Sequence, residues 1–118
     1  MSDKTEYYLS LMQIYLDEGE RVLAQKDYLQ ASEKFWGAAA EMVKAVAASR
    51  DVELKTHGDL WKFVSKLRVE LDDPEISRLF TLAGMLHQNF YEGHLTPEIV
   101  EDLANGVKQF VEKLRNSG

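Results

Sequence analysis

Apolar residues recur at three- and four-residue spacings along almost the whole chain, and no stretch alternates apolar with polar residues as a half-buried strand would. This pattern predicts five helices. The first runs from about Asp3 to Ala24, with Tyr8, Leu11, Met12, Tyr15, Val22 and Leu23 on one face. Tyr7 and Ile14 sit roughly 110° away, so this helix is apolar on two sides. The second starts at Asp27, whose carboxylate caps the helix while Gln30 reaches back, and continues to about Ser49. Its apolar positions, from Tyr28 through Phe35, Trp36 and Met42 to Val46, cover well over half the circumference. A helix of that kind is central and packed by neighbours on several sides. The third helix, about Gly58 to Leu71, turns Leu60, Phe63, Val64, Leu67 and Leu71 inward. The fourth, Pro74 to about Glu92, does the same with Ile76, Leu79, Phe80, Ala83, Leu86 and Phe90. The fifth, Pro97 to about Arg115, uses Ile99, Leu103, Val107, Phe110 and Leu114.

Both prolines follow a capping residue. Asp73-Pro74-Glu75 and Thr96-Pro97-Glu98 each place Pro at a first helical position and an acid in the first turn. Gly19, Gly58 and Gly93 fall at or near plausible joints. Short joints favour antiparallel neighbours, so the expected fold is a single all-α domain, a five-helix up-and-down bundle over residues 1–118. A helical-repeat array does not fit. Tyr28, Ala31, Phe35 and Ala38 have the spacing of half a tetratricopeptide repeat, but 34 residues on stand Lys62, Ser65, Val69 and Asp72, which do not match.

Composition narrows the chemistry. At 118 residues and 45% apolar content, size scaling predicts roughly 6,500 Å² of folded surface and an ample core without staples. The chain has no cysteine, which excludes disulfides, thiolate nucleophiles and Cys-ligated zinc. A net charge of -6 argues against a globally basic, phosphate-tracking surface. No run of 18 apolar residues exists and MSDKTEYY is too polar for a signal peptide, so a cytoplasmic protein without membrane contact is expected.

Few residues carry candidate chemistry. The three histidines, His57, His87 and His94, include no pair four residues apart, so neither a metal site nor a cofactor is expected. His57 precedes the third helix. His87 lies within roughly 40° of the centre of the fourth helix's apolar face, with Tyr91 one turn on and Gly84 leaving open space beside it. His87 and Tyr91 would form the polar floor of a cleft. Its second wall would be a stripe on the second helix, Glu33, Gly37, Ala40 and Lys44, small in the middle and oppositely charged at its ends. No nucleophile stands at a fixed offset from a base, no Gly-rich phosphate loop is present, and the acids at 17–20 and 72–75 read as joints and caps rather than a catalytic pair.

Three runs carry a family resemblance: Ala31-Ser32-Glu33-Lys34-Phe35-Trp36-Gly37-Ala38-Ala39-Ala40-Glu41-Met42-Val43-Lys44-Ala45, His57-Gly58-Asp59-Leu60-Trp61 and Leu86-His87-Gln88-Asn89-Phe90-Tyr91-Glu92. They resemble the archaeal paralogous repetitive-element proteins, placed within the HEPN (higher eukaryotes and prokaryotes nucleotide-binding) superfamily. The resemblance spans about Tyr28 to Leu114. It implies an up-and-down bundle like the C-terminal domain of kanamycin nucleotidyltransferase, usually dimeric. Many HEPN proteins are metal-independent ribonucleases of toxin–antitoxin or defence systems, and others are non-catalytic partners of minimal nucleotidyltransferases. The ribonuclease signature is an Arg followed four to six residues later by a His. This chain departs from it: the nearest Arg upstream of His87 is Arg78, with eight residues between.

Three readings follow. The first is a HEPN-like binding or assembly module for a nucleotide, an RNA or a partner protein, with a nucleotidyltransferase or an antitoxin as candidate partners. Its site would draw on Glu33, Lys44, His57, His87, Asn89, Tyr91 and Glu92. The second is an endoribonuclease using His87 and His94, and the third a structural dimerisation domain. The absent Arg and the acidic charge favour the first and third, with no catalytic residue assigned. A homodimer is expected from the second apolar side of the first helix. If His87 lines a cleft, it should be partly accessible and hydrogen-bonded to a neighbouring side chain.

Overall fold

The computed structural model describes residues 3–117: five α-helices and, among these residues, no strand. The helices are α1 (Asp3–Ala24), α2 (Tyr28–Ala48), α3 (His57–Glu70), α4 (Pro74–Glu92) and α5 (Pro97–Ser117). The accessible surface is 6559 Å², the area expected of a folded chain of this mass.

The helix starts follow the capping chemistry. Asp27 accepts from the Gln30 backbone N–H, Asp73 from that of Glu75 and Thr96 from that of Ile99. The stops are less legible. Lys26, Asp51 and Asp72 all take left-handed backbone angles (φ 63°, 58° and 49°), and each is followed by an N–H that reaches back five residues, as in a Schellman closure. Among the described residues only Gly93 (φ 60°) ends a helix in the way glycine usually does. Gly19 is not a joint. It lies inside α1, where a Cβ would stand 3.0 Å from the Phe35 ring.

That contact belongs to a reciprocal arrangement. Phe35 of α2 packs over Gly19 of α1, and Tyr15 of α1 packs over Gly37 of α2, 3.1 Å from where a Cβ would be. The two helices therefore approach closely, and α2 also packs against α3, α4 and α5, which makes it the central helix. Thirteen residues of α2 are buried, and Phe35, Phe80 and Phe110 are the largest side chains without solvent contact.

Three inward assignments change. Leu71 caps α3 and is 37% exposed, and Ile99 is 41% exposed in the first turn of α5, where Val100 is buried instead. Phe90 is only half-buried. The space beside Gly84 is not open. The Trp61 ring fills it, 3.1 Å from a would-be Cβ and edge-on to Phe80 at 4.6 Å.

Candidate functional site

The stripe on α2 forms the wall of a cleft of about 300 Å³, to which α1 contributes Tyr15 and α3 contributes His57 and Leu60. Gly37 and Ala40 keep this wall low, and the Tyr15 ring of α1 packs directly over Gly37. Glu33, Lys34, Glu41 and Lys44 supply its charge.

His57 reaches the cleft through a capping box. Thr56 Oγ1 accepts from the Asp59 N–H at 3.0 Å, while Asp59 Oδ2 accepts from the N–H groups of Thr56 (3.1 Å) and Lys55 (3.0 Å). Those bonds hold the Asp59 carboxyl below the usual carboxylate range. The box starts α3 at His57, one residue earlier than the hydropathy pattern, so His57 belongs to the first turn rather than to the preceding loop. Its ring centroid lies 5.1 Å from that of Trp36 and 4.8 Å from that of His87. His87 in turn lies tilted against Trp36 at 4.9 Å and edge-on to Tyr91 at 5.4 Å. Trp36 is 5% exposed and Tyr91 73% exposed, so this aromatic series runs from core to solvent.

His87 is half-buried, but it makes no side-chain hydrogen bond through Nδ1, which is buried without a partner. The expected bond to Tyr91, His57 or Glu33 is replaced by ring contacts. Burial, and then the neighbouring His57, lower its proton affinity, and Glu33 partly offsets them. The imidazole is therefore held toward its neutral form.

Glu41 is the site residue that sequence reasoning misses. It is 9% exposed; Oε1 meets Lys44 Nζ at 3.4 Å, and Oε2 is buried without a partner. Burial pushes its carboxyl up, and the Lys44 ammonium offsets part of that. A signal does exist: Glu41 is one turn beyond Gly37 and two beyond Glu33, and with Lys44 it is one of two charges in an otherwise apolar run from Ala38 to Ala48. Both lysines of the cleft are engaged. Lys34 pairs with Glu18 at 2.8 Å and lies 5.5 Å from the Tyr15 ring centroid, and Lys44 lies 6.0 Å from that of Tyr8. Among the described residues Glu33 has no ion-pair partner.

The structure thus gathers Glu33, Lys44 and His57 at the cleft, with His87 behind them and Tyr91 at the outer edge of the aromatic series. Asn89 and Glu92 are not part of it. Asn89 is 1% exposed and bonds to Ser32 Oγ and the Leu95 N–H, on a different side of α4 from His87. Glu92 is on the surface, accepting from Gln88 and standing 3.4 Å from His94 Nδ1. His94 therefore partners Glu92 beyond the end of α4, and the imidazole beside His87 is that of His57. Among the described residues no group of three or more acidic, His or Cys side chains is arranged to hold a metal, and no helix is long and apolar enough to cross a membrane.

Comparison with known proteins places the chain. A search of curated proteins finds no match. A crystal structure of a Sulfolobus solfataricus protein, a structural-genomics target, is similar at 28% identity with a TM-score of 0.81, covering 91% of this chain and 95% of that one. The sequence profile of the archaeal PaREP1/PaREP8 family matches residues 7–111, from α1 to the last turns of α5. That match spans all five helices and the whole cleft, and the chain belongs to the archaeal PaREP1/PaREP8 family.

Proposed function

We propose that the protein is a HEPN-like binding module that holds a small ligand in the α1–α2–α3 cleft and does not turn it over. The observation that carries this reading is the pair of buried, unpartnered atoms beside the cleft, Glu41 Oε2 and His87 Nδ1. Each costs about 1–3 kcal/mol if left unmet, and a bound ligand is the means by which such a cost is recovered. The three runs behind the HEPN resemblance also converge here: 31–45 builds the wall, 57–61 the rim, and 86–92 the aromatic backing. The test is calorimetric titration with nucleosides, nucleoside monophosphates, short single-stranded RNA and aliphatic amines. Saturable binding by one class, weakened in His57→Ala, is expected. Silence from the whole set overturns the reading.

The contact between the His57 and His87 rings favours a second reading, metal-independent RNA cleavage by a general acid–base pair. Such cleavage also needs a positive group on the scissile phosphate, and one positioned electrostatic contact is worth roughly 10²–10³ in rate. Both lysines of the cleft are committed to carboxylates, and His87 is held toward neutrality, so no free cation faces the pair from the cleft lining. Purified protein incubated with labelled RNA in EDTA is expected to leave it intact. Cleavage that vanishes in His57→Ala and His87→Ala, but survives in His94→Ala, would establish the enzyme instead.

Assembly is the other part of the proposal. Tyr7 and Ile14 are 59% and 48% exposed on the outer side of α1, an apolar surface suited to a second copy of the chain. Light scattering should give twice 13.5 kDa, and Ile14→Asp should return the mass to that of one chain. A nucleotidyltransferase or antitoxin partner is tested by co-purification with the product of the neighbouring coding sequence.

A further inference from the structure

On a different side of α2 from the cleft, a second cavity of about 240 Å³ lies between α1, α2 and the end of α5. Its wall is mostly aliphatic, built by Leu9, Met42, Ala45, Val46 and Leu114. A closed apolar cavity of about 150 Å³ already takes up benzene, so this one has room for a longer chain. No acid lines it, and Ser49 Oγ spends its proton on the Val46 carbonyl at 2.6 Å. Its two remaining polar groups are unmet. Thr5 is 8% exposed, and its hydroxyl oxygen is enclosed without a hydrogen-bond partner. Arg115 stands at the exposed edge. Among the described residues its guanidinium pairs with no carboxylate, although the chain carries 20 acids. It contacts only neutral groups, Gln13 Oε1 at 3.3 Å and Met12 Sδ at 4.0 Å.

These features define a ligand by complement. An unpaired guanidinium takes a carboxylate in a bidentate pair, an aliphatic wall takes methylene groups, and an unmet hydroxyl takes an oxygen. Thr5 and Met12 are seven residues apart on α1, about 10 Å along the axis, so the hydroxyl and the guanidinium bracket the apolar wall. An eight-carbon chain covers about 9 Å at the reach per bond of an extended backbone. We propose that this cavity binds a medium-chain aliphatic carboxylate that carries a hydroxyl at its far end. The carboxylate sits on Arg115, the chain lies over Leu9, Val46 and Leu114, and the hydroxyl bonds to Thr5. The site shares no lining residue with the α1–α2–α3 cleft and does not depend on the reading of that cleft.

The experiment is calorimetric titration of the intact protein with 8-hydroxyoctanoate, octanoate and 1,8-octanediol at fixed ionic strength. Saturable one-to-one binding of the hydroxy acid is expected, with octanoate weaker and the uncharged diol weaker by roughly tenfold, the cost of one charge-assisted contact. Arg115→Gln should weaken both acids by a similar factor and leave the diol unchanged. Arg68→Gln, an exposed cation on α3 outside the cavity, should change nothing. Thr5→Val keeps the side chain's shape without its hydroxyl, and should bring the hydroxy acid down to the affinity of octanoate while octanoate keeps its own. No binding of either acid, or equal weakening in Arg68→Gln, overturns the proposal. Octanoate binding as tightly as the hydroxy acid overturns the oxygenated end and removes Thr5 from the site. Arg115 is exposed, so Arg115→Gln tests the proposal even if Thr5→Val perturbs the fold.

Discussion

Two positions on α4, two residues apart, bury polar groups in opposite ways. Both polar atoms of the Asn89 side chain have a partner: its Nδ2 donates to Ser32 Oγ at 3.0 Å, its Oδ1 accepts from the Leu95 N–H at 2.9 Å, and Ser32 Oγ donates in turn to the Tyr28 carbonyl at 2.7 Å. This chain of bonds fastens α4 to α2 and fixes the turn into α5. His87 faces the other way, its Nδ1 enclosed and unmet, as Glu41 Oε2 is on α2. The difference separates a polar group that specifies the fold from one that the fold holds ready. Satisfied buried networks rigidify and define a single arrangement, whereas unsatisfied ones store a cost that a ligand can relieve.

If that distinction is sound, the satisfied corner should dominate stability and have little to do with binding. Asn89→Ala strands the Leu95 N–H and leaves a small cavity, so an expected loss of about 3 kcal/mol should appear as a marked fall in the urea midpoint. Ser32→Ala strands only the Asn89 amide and should cost about 1–2 kcal/mol. Ligand affinity of either variant, measured well below its unfolding transition, should match the parent. A loss under about 1 kcal/mol in Asn89→Ala would dissolve the contrast.

Much of the fold is legible in the sequence because helix formation here is governed locally. Asp27, Asp73-Pro74 and Thr96-Pro97 set three starts within a residue, and the nearly encircled apolar pattern of α2 identifies the central helix. What escapes depends on tertiary contact. Gly19 reads as a joint until the Phe35 ring is placed over it, and Gly84 reads as open space until Trp61 fills it. The cleft stripe Glu33, Gly37, Ala40 and Lys44 is visible as a helical spacing. Grouping Asn89 with His87 fails because neighbours in sequence face different sides of a helix, and because the partners of Asn89, Ser32 and Leu95, are remote or lie in a turn. Glu41 escapes notice because a single acid among alanines resembles a solvated position, and only the packing of α2 buries it.

On the unsatisfied side the expected effects are smaller and depend on pH. His87→Leu keeps much of the ring's volume and loses no hydrogen bond at Nδ1, so it should cost about 1.5 kcal/mol or less near pH 8. In the native protein His87 binds its proton less readily than the ordinary value of 6.5, with burial the first cause and His57 the second. Its contribution to stability is therefore complete above pH 6.5 and declines as pH falls, because the unfolded chain takes the proton first. Leucine does not titrate. The deficit of His87→Leu should shrink between pH 7.5 and 5.5 in parallel denaturation curves, and a deficit that grows over that range would contradict a neutral buried imidazole.

Glu41→Gln should give the smallest change, with the opposite sign at neutral pH. Burial raises the carboxyl above its ordinary 4.5 despite Lys44, so the folded state favours the protonated acid. The stabilisation this gives is fully present below pH 4.5 and is lost as pH rises, because the unfolded chain ionises while the folded one resists. Glutamine has the acid's shape and never ionises. It removes this loss, and Lys44, partly exposed, turns its ammonium to water. The variant should match the parent at pH 4 and exceed its stability by about 1 kcal/mol or less at pH 7. The other shifted carboxylates, Glu18, Asp59, Asp73 and Glu75, are held low and destabilise both proteins alike in acid, so the quantity to read is the difference between parent and variant at each pH. A variant less stable than the parent at pH 7 would mean that the Lys44 pair outweighs the burial of the carboxylate. Glu41 would then belong with Asn89, among the groups that hold the fold together.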